Sequence, residues 1–240
     1  PPTLVWHMGE RVKLSPRYSD DKWIRRKKRP KLSSKHIIRT VDLFAGCGGL
    51  VVGTMEACRR LKLGHQIELA NEWDQDALDI FKVNLHPKVA ICGDVSQLFD
   101  GPLDSHKLTK AENELVKMHP GIMEPDLLTG GPPCQGHSDL NNHSRRDDPR
   151  NGLYFRMIRA ARVLKPKAII IENVSTVIHS KEQVVQQSVK LLEEMGYFVV
   201  QETLWANHFG VPQKRKRHFL LASKVSMPDL SILDMYRINE

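Results

Sequence analysis

From His36 onward, short apolar runs alternate with segments whose apolar positions return every three or four residues. The runs predict strands over Ile37–Phe44, Gln66–Asn71, Val89–Cys92, Asp126–Thr129, Ala168–Ile171, Phe198–Leu204 and His218–Ala222. The helical spacing predicts helices over Gly49–Leu61, Asp74–Asn84, Leu153–Leu164 and Glu182–Met195. Alternation of strand and helix over most of the chain implies an α/β fold, a mostly parallel sheet with helices on both faces. Ligands of such sheets collect at the carboxyl ends of the strands, near the switch in strand order. Residues 101–124, with Pro102, Pro120 and Gly121 around a polar middle, read as an insertion carrying a short helix. No internal repeat interrupts the pattern.

Composition narrows the class. A chain of 240 residues, 40% hydrophobic, supports one substantial core. No stretch approaches the roughly 20 apolar residues that span a bilayer, and the N-terminus lacks a signal's apolar centre, so an intracellular protein without membrane contact is expected. Cys47, Cys58, Cys92 and Cys134 form no CxxC pair and have no histidine at zinc spacing, which predicts neither a disulfide framework nor a metal site.

The net charge of +8 is unevenly placed. Residues 1–40 carry 12 Lys/Arg against three Asp/Glu, and the remainder carry 24 against 25. Most of the excess lies in Trp23–Lys31, a basic run suited to phosphates or to nuclear targeting, and equally to a solvated tail. Arg145-Arg146 and Lys214–Arg217 are stronger candidates for nucleic-acid contact because they flank the candidate chemistry.

That chemistry falls at strand ends. The first strand runs into DLFAGCGGL (42–50), a glycine-rich turn where backbone can approach a ligand. It lacks both the GxGxxG spacing of dinucleotide enzymes and a P-loop lysine. Glu72 ends the second strand, where a carboxylate can accept both ribose hydroxyls of a nucleoside. Trp73 offers a ring face to adenine, and Asp94, in Gly93-Asp94-Val95, an acceptor for an exocyclic amine. After the fourth strand comes GGPPCQGHS (130–138): two prolines fix the backbone ahead of Cys134 while glycines leave it approachable, as a nucleophile requires. Glu172, at the mouth of the next strand among apolar neighbours, is expected as a desolvated carboxyl able to donate a proton.

In order and spacing, DLFAGCGGL, Glu72-Trp73, Gly93-Asp94-Val95, GGPPCQGHS, Glu172-Asn173-Val174 and QKRKR (213–217) resemble the DNA cytosine-5 methyltransferases, over roughly residues 38–223. The resemblance implies a Rossmann-like class I methyltransferase fold, S-adenosylmethionine as cofactor and double-stranded DNA as partner. It assigns the cofactor to Asp42, Phe44, Ala45, Gly46, Cys47, Gly48, Gly49, Leu50, Glu72, Trp73, Asp94, Val95 and Pro132. It assigns catalysis to Cys134, which attacks cytosine C6, and to Glu172, Arg215 and Arg217. Gln135, Ser138, Arg145, Arg146, Gln213, Arg215 and Arg217 would contact DNA, with Ser138–Arg150 a closing loop over an extruded base.

Complete members of that family continue with a smaller target-recognition domain and a returning Gly-Asn segment, neither of which is found here. The expected organisation is a basic, flexible extension (1–36), a catalytic domain (37–223) and a C-terminal remnant (224–240), as in the large subunit of a split enzyme whose second chain supplies target recognition, or in a truncated gene product. Two other functions are consistent with the residues: a transfer-RNA cytosine-5 methyltransferase, and a catalytically incomplete DNA-binding subunit of a split enzyme.

Overall fold

The strands stack in the order β3-β2-β1-β4-β5-β7-β6, and among these seven β7 runs opposite to the other six. They are β1 Ile37–Leu43, β2 Gly64–Glu72, β3 Val89–Cys92, β4 Leu127–Gly130, β5 Ala168–Val174, β6 Phe198–Trp205 and β7 Lys216–Ser223. The helices are α1 Gly49–Arg60, α2 Gln75–Leu85, α3 Val95–Leu98, α4 Lys110–Met118, α5 Asn151–Leu164 and α6 Val184–Glu194. This is a computed structural model, and it describes residues 35–133, 151–179 and 183–237. Among them no helix is long and apolar enough to cross a membrane, and no cluster of His, Cys, Asp or Glu is placed to hold a metal.

The sheet separates two apolar layers. Val41, Leu43, Leu69, Leu128, Ile169 and Ile171 pack with Met157, Ile158 and Ala161 of α5 and with Val185 and Leu192 of α6. On the other face Ile67 and Ala70 meet Val51 and Met55 of α1 and Leu78, Phe81 and Leu85 of α2. Ile67 and Leu69 are two residues apart yet face opposite layers. The cause is a bulge, because the β1–β2 register steps from Thr40↔Ile67 to Val41↔Leu69. The skipped residue is Glu68, a buried carboxylate held by Arg39 Nε at 3.2 Å and Lys88 Nζ at 3.0 Å.

The insertion predicted over 101–124 does carry a short helix, α4. Thr109 and Glu112 close a capping box at its start. Glu112 is then fully buried against Arg159 of α5, with Nε at 2.6 Å and Nη2 at 2.5 Å. The same guanidinium donates to the carbonyls of Pro102, Ser105 and Lys107, so one side chain fastens the insertion to the core.

Most boundaries shift by one to three residues, and two of the shifts bear on the site. β1 stops at Leu43 because Phe44 turns into the left-handed region at φ +54°. β5 continues to Val174, which puts Glu172 within the strand and paired with Phe219 of β7.

Candidate active site

β1, β2, β3, β4, β5 and β6 all finish at the same edge of the sheet, and β7 starts there. The switch in strand order lies between β1 and β4, where Leu43 pairs with Gly130. The glycine-rich turn and the GGPP segment therefore leave the sheet side by side.

The turn is set by close packing. Gly48 sits at φ +96°, and a Cβ there would overlap Leu85 Cδ1 and crowd the Phe81 ring. Only glycine lets the N-terminus of α1 come down onto α2. Gly46 N donates to Glu72 Oε2 at 2.7 Å, while Glu72 Oε1 accepts from Trp73 N at 2.9 Å and Asp74 N at 3.1 Å. Three backbone amides thus hold the carboxylate at the crevice. Trp73 is 75% exposed, which excludes it from the core and leaves its ring open to a ligand. Asn71, which sequence reasoning did not single out, donates to the carbonyls of Ile91 at 3.1 Å and Gly93 at 3.0 Å. It fixes the β3 turn that presents Asp94, whose carboxylate caps α3 through Ser96 N at 2.8 Å. Its position beside Glu72 was the available signal.

Several residues expected at the cofactor take more restricted positions. Val95 is 2% exposed, so only its backbone can reach a ligand, and Ala45 belongs to the core layer of α1 and α2. Asp42 is 1% exposed, with Oδ1 2.5 Å from Thr129 Oγ1. Any part it plays is played from beneath the turn. Cys47 and Gly49 are exposed, and Phe44, Gly46 and Leu50 half-buried.

The other half of the edge is built around Glu172. Its Oε1 lies 3.0 Å from Arg217 Nε and 3.7 Å from Arg215 Nη2. The apolar surroundings expected for Glu172 are not what the fold provides: antiparallel β7 places two guanidinium groups against it. Gly131 passes so near that a Cβ would stand 3.4 Å from Glu172 Oε2. Asn173 donates from Nδ2 to the Pro132 carbonyl at 3.1 Å and accepts from Val174 N at 2.8 Å, anchoring the GGPP segment to β5. Pro132, expected at the cofactor, is buried on this side. Gly130 is equally constrained, since a Cβ would stand 2.5 Å from Met157 Sδ. Gln213 is exposed at the approach to β7. Cys134, Gln135, Ser138, Arg145 and Arg146 lie outside the described residues; Cys134 follows Pro133, the last described residue of the segment that Asn173 anchors.

A doubly wound sheet closed by an antiparallel seventh strand, with an acid-anchored glycine turn at the switch point, defines a class I methyltransferase fold. The chain belongs to the C-5 cytosine-specific DNA methylases, whose family model matches residues 38–233. It is 36% identical over 222 residues to the Type II methyltransferase M1.BsuMI of Bacillus subtilis (strain 168), covering 92% of this chain and 51% of that protein. It is 31% identical over 202 residues to the Type II methyltransferase M.NgoBV of Neisseria gonorrhoeae, covering 81% and 43%. The chain thus spans about half the length of the curated relatives it matches. Among solved structures, a candidate prophage DNA modification methyltransferase (E. coli) superposes with a TM-score of 0.61 at 27% identity, over 80% of this chain and 51% of that one. The S. pombe Dnmt2 methyltransferase shares the fold, with a TM-score of 0.59 at 21% identity over 85% and 56%.

Proposed function

We propose that this chain is the catalytic part of an enzyme that transfers a methyl group from S-adenosylmethionine to C5 of cytosine in DNA. The observation that carries the proposal is the placement of two sites on adjacent strand ends. The Glu72-anchored turn lies on one side of the GGPP segment, and Glu172 with Arg217 and Arg215 on the other.

The residues fit the cofactor. An ionised carboxylate offers about four acceptor positions, of which Glu72 uses three on backbone amides. The remaining one, with the Gly46 contact exchanged, accommodates the two hydroxyls of a ribose. The exposed Trp73 ring covers adenine. When bound, the cofactor supplies an electrophilic methyl group on a sulfonium.

Cytosine C5 is a poor nucleophile until the ring becomes enamine-like. Cys134, as thiolate, adds to C6, the C5=C6 electron pair shifts towards N3, and N3 takes a proton from solvent by way of Glu172, which also holds the exocyclic amine. Arg217 and Arg215 hold Glu172 in place and contact the cytosine carbonyl and backbone. Once C5 has gained the methyl group, its proton passes to water, the C6–S bond breaks with Cys134 leaving as thiolate, and N3 returns its proton, which restores the aromatic ring. A stacked base is out of reach of these groups, so the target is flipped out. Phosphates are gripped by Arg145, Arg146 and the exposed Gln213–Arg215 approach. Base edges, which specify sequence, are read by a recognition segment beyond the residues matched here or on a second polypeptide.

The test is transfer of labelled methyl to DNA, with transfer RNA as the competing substrate. Cys134→Ser is expected to remove transfer to DNA while S-adenosylmethionine binding stays within a few-fold. A serine variant retaining more than about a tenth of the rate, roughly 1.4 kcal/mol of barrier, would overturn the nucleophile. Transfer to transfer RNA in preference to DNA would overturn the substrate.

A further inference from the structure

Among the described residues, no cation pairs with the buried carboxyl group of Asp42. It is 1% exposed, two residues before the turn at Phe44. Oδ1 meets the Thr129 hydroxyl at 2.5 Å, and Oδ2 has no hydrogen-bond partner among the described residues. From β2 the carboxylate of Glu72 acts on it, whereas His65, at the opposite end of that strand, is bonded to Thr40 Oγ1 at 2.9 Å. β4, Leu127-Leu128-Thr129-Gly130, brings no ionisable group. On α1 Glu56 is paired with Arg59 and Arg60, and on α2 Asp79 with Lys82. A carboxylate in this position would be desolvated, half-bonded and repelled by a second acid. Each of these conditions favours the protonated form. Thr129 can serve that form as well, because its hydroxyl has a second acceptor in the Val41 carbonyl at 3.5 Å.

We propose that Asp42 senses the charge of the bound cofactor, holding a proton while the site is empty or carries a neutral thioether and releasing it when a sulfonium is seated on the turn above. This rests on the cofactor reading of the preceding section. The balance is simple: the Asp42 O–H bond breaks, the proton passes to solvent, and the carboxylate left behind offsets the positive sulfur. Nothing is oxidised or reduced. Once the methyl group has left, the sulfur is neutral and Asp42 takes a proton back. The site then favours the methyl donor over the demethylated product, which helps the product leave. Burial pushes the Asp42 pKa up to about 7, so the exchange falls within the working range of pH.

Isothermal titration of the full chain in two buffers of different ionisation enthalpy counts the protons. S-adenosylmethionine is expected to release up to about half a proton per molecule bound at pH 7, more at pH 6 and almost none at pH 8.5. S-adenosylhomocysteine is expected to release none. Asp42→Asn, which keeps the shape and can donate to Thr129, should bind S-adenosylmethionine without that release. Should the asparagine variant not fold, the infrared carbonyl band of a protonated carboxyl serves in the parent, lost with the donor and kept with the product. Equal proton counts for the two ligands, or release that persists in Asp42→Asn, would overturn the inference and leave the cofactor reading standing. If neither ligand binds, the cofactor reading falls and the inference with it.

Discussion

Glu172 is held in a compact ion-paired cluster before any substrate arrives. Arg217 Nε approaches it to 3.0 Å from the neighbouring antiparallel strand, and both side chains are about three-quarters covered. Glu172→Gln keeps the shape but cannot pass a proton to the ring. Methyl transfer should fall by at least about 100-fold, while S-adenosylmethionine affinity changes by no more than a few-fold. Comparable losses in both measurements would place Glu172 at the cofactor instead. Two other buried groups titrate in opposite senses. Asp42 is pushed up from 3.8 to about 7 by burial, so its contribution is complete below about pH 4 and is lost as pH rises to about 7. His218 is pushed down from 6.5 to about 4, also by burial, so stability is lost as pH falls from about 6.5 to about 4, where the unfolded chain takes up a proton that the folded one refuses. Between those limits the two effects offset each other. Asp42→Asn removes only the first, so its Tm should climb more steeply than the parent's between about pH 4.5 and 7. Parallel Tm curves would show that Asp42 titrates at the same pH in the folded and unfolded chain.

At the scale of elements, the insertion between β3 and β4 is fastened by the Arg159–Glu112 pair, with both side chains fully buried. Arg159 serves five acceptors at once: both Glu112 oxygens and three carbonyls of the insertion. Arg159→Ala leaves a buried carboxylate without its charge partner and should cost about 3–5 kcal/mol in urea unfolding. Removing both charges, as Arg159→Met with Glu112→Met, should cost less than the single change, since no charge is then stranded. A double variant less stable than Arg159→Ala would show that the carbonyl contacts matter more than the charge. Asn71 and Asn173 act on a smaller scale in the same manner, each tying a strand-end segment to a neighbouring strand. All these ties join segments far apart in sequence, which is why periodicity located the elements but not their fastenings.

For the whole molecule, charge is concentrated away from the matched domain. Trp23–Lys31 holds most of the excess of +8, while residues 41–240 are close to neutral. Binding through phosphates weakens with salt in proportion to the number of phosphates neutralised, and it carries no sequence information. Replacing Arg25, Arg26, Lys27, Lys28 and Arg29 with glutamine should therefore weaken binding to all duplexes alike and flatten the dependence of log K on log salt. The slope is expected to change by about 0.9 for every phosphate that the variant no longer neutralises. An unchanged slope would mean that the run does not touch DNA.

The amino-acid sequence determined the alternation of strand and helix and the turns at their ends, because period and glycine or proline punctuation are local properties. Tertiary structure decided what those residues face. Glu172 was expected in an apolar mouth and lies between two arginines, because only the antiparallel placement of β7 beside β5 brings Arg217 and Arg215 to it. Trp73 could have been a core residue until the fold left it 75% exposed. Asp42 was expected at the cofactor, and the fold buries it on Thr129 beneath the turn, since strand pairing, not spacing along the chain, sets which side chains are shut away from water.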